Sequence, residues 1–135
     1  MRELATTSAA PALTQPRVLL VEDQALIAME FEALLADQGC SVVGPFASVD
    51  TAMDAAMRAP LDGAVLDVHL VDEPSFPLAF MLRSRGVPFI FVTGLSRSVL
   101  PAELRETPIL TKPVRPHAFG ALVRSMLTRA APIRQ

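Results

Sequence analysis

Residues 63–70, GAVLDVHL, constrain the fold more than any other stretch of the chain. Gly63 to Leu66 are small or apolar, uncharged, and too few for a solitary helix, so they read as a buried strand. The run stops on an acid, Asp67. A carboxylate at the end of a buried strand is costly unless it sits at a sheet edge with partners. In open α/β sheets the carboxyl edge is also where ligands bind. The useful question is which other strands deliver polar groups to that edge.

Four further apolar runs answer it. RVLLV at 17–21 is stopped by Glu22 and Asp23, PFIFV at 88–92 is closed by Thr93 and Gly94, and PILT at 108–111 leads into Lys112–Pro113. SVVG at 41–44 is the remaining strand. Helical spacing fills the gaps. Ile27, Phe31, Leu34 and Leu35 share one face, with Gly39 placed to end that helix. Ser48 is a candidate N-cap for a helix whose apolar face is Val49, Ala52, Met53, Ala56 and Met57, stopped by Pro60. A third helix has Pro77 in its first turn and Gly86 past its end. Phe119, Leu122, Val123, Met126 and Leu127 mark the last helix. Within 95–107, Pro101 limits any helix to a short one or one beginning at that proline.

Uniformly apolar strands imply a sheet covered on both faces, hence parallel strands with right-handed crossovers. The expected fold is a doubly wound α/β domain with a five-stranded parallel sheet, flavodoxin-like order 2-1-3-4-5, and helices on both faces. It should span 17–129, with flexible tails at 1–16 and 130–135.

Composition narrows the function. The chain has 135 residues, enough for one domain with a real core. A net charge of −2, no basic block, and no Tyr or Trp argue against a nucleic-acid partner. Cys40 is the single cysteine, which fits a reducing cytoplasm, and it reads as a small core residue. No apolar run reaches membrane-span length, and the first residues lack the apolar core of a secretory signal. The methionines Met53, Met57, Met81 and Met126 read as core filler. Lys112 is the only lysine, the other basic side chains being arginines. Lysine is a compact point charge and arginine a planar fork, so this position invites the reading that an ammonium is needed there.

In a parallel sheet Glu22, Asp23, Asp67, Thr93 and Lys112 all reach one edge. Three close carboxylates repel and call for a cation at neutral pH. Hard oxygen ligands without paired His or Cys favour Mg²⁺. A hydroxyl and an ammonium opposite that cation suit an anion with several oxygens, such as a phosphoryl group, which could pass to the central carboxylate as an aspartyl phosphate.

The motifs VLLVED at 18–23, LDVHL at 66–70, FVTG at 91–94 and LTKP at 110–113 resemble the receiver domain of bacterial two-component response regulators. The resemblance implies Asp67 as phosphoacceptor. It implies Mg²⁺ bound by Asp23 directly, by Glu22 mostly through water, and by the backbone carbonyl of His69. Thr93 would bond the phosphoryl oxygens and move on activation. Lys112 would pair with the phosphoryl group, ahead of a cis Lys112–Pro113 bond. The His69 imidazole itself reads as an exposed loop side chain, and His117 as solvent-facing.

More narrowly, PFIFVTG is similar to stand-alone alphaproteobacterial receivers with a Phe-x-Thr-Gly motif, which implies a sensor histidine kinase of the HWE or a related type as phosphodonor. The chain would then be a cytoplasmic monomer or weak dimer. It would act on an unnamed downstream protein through an altered surface, and it would not be an enzyme beyond accepting and losing its own phosphoryl group. Ile109 departs from the family, which usually carries Tyr or Phe three residues before the lysine. Segment 95–107 is therefore an expected place for the switch, as an order–disorder change. Two other readings stand beside this one. The first is a docking module that never cycles phosphate. The second is an Asp-nucleophile phosphatase or phosphotransferase, whose usual second acid two residues on is replaced by His69.

Overall fold

The computed structural model describes residues 15–71, 73–94 and 99–130. Its strands are β1 (Arg17–Val21), β2 (Ser41–Phe46), β3 (Gly63–Asp67), β4 (Phe89–Thr93) and β5 (Ile109–Thr111). All neighbours pair in parallel, in the order β2-β1-β3-β4-β5. The helices are α1 (Ala25–Asp37), α2 (Val49–Arg58), α3 (Phe76–Ser84) and α4 (Pro116–Ala130). The expected doubly wound fold is the observed one. The tails expected at 1–16 and 130–135 lie outside the described residues except for Gln15, Pro16 and Ala130, as do residues 95–98 of the expected switch segment.

Alternation along each strand sorts the core into two layers. Leu19, Val21, Leu66 and Phe91 pack with Ala52 and Ala56 of α2 and Leu78 and Leu82 of α3. Val18, Leu20, Val65 and Ile90 face the other way, against Phe31 and Leu35 of α1 and Phe119 and Val123 of α4. Phe31 and Phe119 stack at 5.2 Å between ring centroids, fixing α1 against α4. Cys40 is buried in this second layer, and burial pushes its thiol pKa up. The helix ends follow the sequence: Ser48 Oγ accepts the Thr51 N–H, and Gly39 and Gly86 take positive φ after α1 and α3.

Two details differ from the sequence reading, and a third agrees with it. Strand β2 runs two residues past Gly44, through a cis Gly44–Pro45 bond. Proline lacks an N–H donor and is confined to sheet edges, and β2 is an edge strand. The extension matters because the Phe46 carbonyl accepts the Glu22 N–H at 2.9 Å. Met57 is exposed, not core. The buried stripe of α2 is Val49, Ala52 and Ala56, and Met57 stands about 100° round the helix from Ala56. Finally, the described part of the β4–β5 crossover holds one turn of 3₁₀ helix, Ala102–Leu104, directly after Pro101. Leu100 and Leu104 on that crossover are buried in the α2/α3 layer.

Candidate functional site

The strand period places the site. Leu20, Val65 and Leu110 belong to the α1/α4 layer, and Glu22, Asp67 and Lys112 each lie two residues further along the same rows. The three side chains therefore leave the sheet on the same side, at its carboxyl edge. Lys112 Nζ donates to Glu22 Oε1 at 2.9 Å and to Asp67 Oδ2 at 3.2 Å. Side-chain exposure is 0% for Glu22, 7% for Asp67 and 20% for Lys112, so water screens these ion pairs little.

Backbone donors complete the cluster. The Gln24 N–H bonds Glu22 Oε2 at 3.1 Å, and the His69 N–H reaches Asp67 Oδ1 at 3.3 Å. Sequence reasoning did not identify the Gln24 donor; its signal would have been the tight turn between the acid pair and the first residue of α1. The His69 side chain is exposed, and its backbone bridges to Pro74 across the loop after β3. Thr93 ends β4, one residue beyond the Val92 that pairs with Asp67. It is buried, and its carbonyl accepts the Lys112 N–H at 2.8 Å. Thr93 thus ties the backbone of Lys112 to the end of β4. The Lys112–Pro113 bond is cis.

Burial pushes the Glu22 carboxyl pKa up, further than the hydrogen bonds from Lys112 and Gln24 pull it down, and the nearby Asp67 charge adds to the rise. For Lys112, burial works downward, but its hydrogen bond to Glu22 and the charges of Asp67 and Glu22 prevail, so the net direction is up. The lysine stays charged. One ammonium faces three carboxylates, because Glu22, Asp23 and Asp67 offer oxygens all within 4.8 Å of one another. That excess of hard, negative oxygen ligands fits Mg²⁺.

No family model matches the chain. It is 33% identical to SdrG from Sphingomonas melonis Fr1, with a TM-score of 0.72, covering 87% of this chain and 97% of that one. The phyllosphere-induced regulator PhyR from Methylorubrum extorquens is 32% identical over 114 residues, 82% of this chain and 43% of PhyR. The receiver domain of a putative Luxo repressor protein from Vibrio parahaemolyticus has a TM-score of 0.79 at 21% identity, covering 90% of this chain and 96% of that one, which speaks to the fold. The chain spans about half the length of the curated relatives it matches. Fold and site define a flavodoxin-like domain with an acid trio and a lysine at its carboxyl edge. The chain belongs to the receiver-domain family of response regulators.

Proposed function

We propose that this receiver works as a single-domain response regulator in a two-component phosphorelay, taking its phosphoryl group on Asp67. The observation that carries the reading is Lys112 held between Glu22 and Asp67, with Asp23 beside them. In the step, an Asp67 carboxylate oxygen attacks phosphorus. The new O–P bond forms as the donor's P–N bond breaks, and the departing imidazole keeps the electron pair and takes a proton. Lys112 faces the oxygens on which negative charge gathers, and Asp23 and Asp67 directly, with Glu22 through water, would hold Mg²⁺. The metal, when bound, neutralises phosphoryl oxygens.

The phosphodonor is a sensor histidine kinase, with the HWE type the specific proposal. Its docking face is α1, whose first turn follows the acid pair directly. Leu26 and Met29, one turn apart there, are 81% and 63% exposed. A groove of about 320 Å³ between Ile27, Phe31, Pro113 and Val114 opens against Lys112. The output is a changed surface read by a downstream protein, in the cytoplasm, without turnover of any other substrate. No helix among the described residues is long and apolar enough to cross a membrane.

Intact mass after incubation with phosphoramidate and Mg²⁺ tests this. Wild type should gain the mass of one phosphoryl group and Asp67→Asn none. An unlabelled wild type would leave the domain as a docking module, and multiple turnover on free phosphate esters would make it a phosphatase.

A further inference from the structure

Glu22 differs from the other two acids in how its oxygens are engaged. Oε1 accepts Lys112 Nζ at 2.9 Å and Oε2 accepts the Gln24 N–H at 3.1 Å. Its side chain is fully buried, and its own N–H is tied to the Phe46 carbonyl. Asp67 holds its two donors more loosely, at 3.2 and 3.3 Å. Asp23 is half-buried and carries no hydrogen bond or ion pair among the described residues. The three carboxylates therefore divide into one fixed to the lysine, one central, and one left open.

From this division we infer that Glu22 is the positioning residue of Lys112, and that its main work is to aim the ammonium at Asp67 rather than to bind metal. The inference rests on the phosphoacceptor reading of Asp67. A lysine stem has many rotamers, and a buried anionic anchor removes most of them before the donor arrives. Lys112 then reaches the phosphoryl oxygens by a small shift from Asp67 while Glu22 keeps its hold. Asp23 and Asp67 supply the direct carboxylate ligands for Mg²⁺.

The two roles predict different kinetics for Glu22→Gln, which keeps the side-chain shape and removes the charge. Mg²⁺ affinity is measured by calorimetry, and the phosphoramidate labelling rate is followed across a Mg²⁺ series. A positioning role gives a Mg²⁺ affinity within about threefold of wild type and a labelling rate at saturating Mg²⁺ lowered about tenfold or more, a change in the rate and not in the half-saturation. Glu22→Asp, which restores the charge one methylene short of the lysine, should recover part of that rate. It also keeps the inference testable if Glu22→Gln does not fold. The inference is overturned if Glu22→Gln weakens Mg²⁺ about tenfold and high Mg²⁺ restores the rate, or if neither quantity moves. A wild type that never labels fails the phosphoacceptor reading itself, which separates the two.

Discussion

The carboxyl edge at β1, β3 and β5 and the crossover between β4 and β5 are built to different tolerances. At the edge, Glu22, Asp67 and Lys112 meet through hydrogen bonds of 2.9 and 3.2 Å, and each position is fixed by strand register. In the described part of the crossover, Ala102–Leu104 form a three-residue 3₁₀ turn where the remaining crossovers have helices of 13, 10 and 9 residues. Among its described residues, Leu100 and Leu104 enter the core. The chemistry needs a few atoms at fixed distances, whereas the crossover needs only to return the chain and cap one core layer. The first requirement ties the sequence down; the second leaves it free to vary, which is where an output surface can differ from one receiver to another.

Truncating the crossover's anchor is the hardest test of that division. Leu104 is 1% exposed, so Leu104→Ala should destabilise the domain by about 2–5 kcal/mol. Labelling per folded molecule should stay near wild type. Chemical denaturation gives the first quantity and intact mass the second. A folded Leu104→Ala that no longer labels would break the comparison, because the crossover would then be part of the acceptor machinery. The edge has its own expected response. Mg²⁺ at a hundredfold excess over its dissociation constant should stabilise the folded chain by about 2.7 kcal/mol, seen as a raised Tm. Asp23→Asn should remove most of that shift, while Leu104→Ala should keep it from a lower starting point.

The same contrast explains what could be read from the residues. Strand ends were legible because an apolar run that stops on Glu22, Asp67 or Lys112 signals both a strand and the side on which it ends. The pairing of Lys112 with Glu22 was not, because 90 residues separate them and motif order names residues without naming partners. The second strand reads only to Gly44, just ahead of Pro45, which has no donor for the ladder. On an edge strand that donor is not required, and the strand went on to anchor Glu22. Met57 joined a hydrophobic face on paper because its spacing allowed it, but the sheet covers a narrower stripe of α2. Pro101 did signal a shortened crossover; the burial of Leu100 and Leu104 depends on the layer beneath, which periodicity over so few residues does not reveal.

Recognition by a kinase should be separable from both regions. Leu26 sits exposed on the first turn of α1, so Leu26→Asp should leave stability and phosphoramidate labelling unchanged. Transfer from the cognate kinase should fall about tenfold, equivalent to about 1.4 kcal/mol of binding. The measurement is the initial rate of phosphotransfer at sub-saturating receiver. Equal losses with kinase and phosphoramidate would place Leu26 within the acceptor site and blur the line between contact surface and chemistry.

The smallest effect expected has the opposite sign. Ser75 precedes α3 in the loop that returns from the site. Its N–H donates to the Val68 carbonyl at 2.9 Å, next to Asp67, and its carbonyl accepts the Ala79 N–H at 3.1 Å. Its hydroxyl is buried with no hydrogen-bond partner among the described residues, and it does not cap the helix. A desolvated, unpaired hydroxyl is a standing penalty, so Ser75→Ala should stabilise the domain by about 1 kcal/mol. The expected signature is a higher urea midpoint with an unchanged slope, which marks stability and not a change in compactness. Because the backbone bonds to Val68 and Ala79 survive the change, labelling of Asp67 should not move. A loss of stability instead would show that the hydroxyl holds a buried water beneath the acceptor loop, and the fixed geometry of the edge would then extend along that loop to the start of α3.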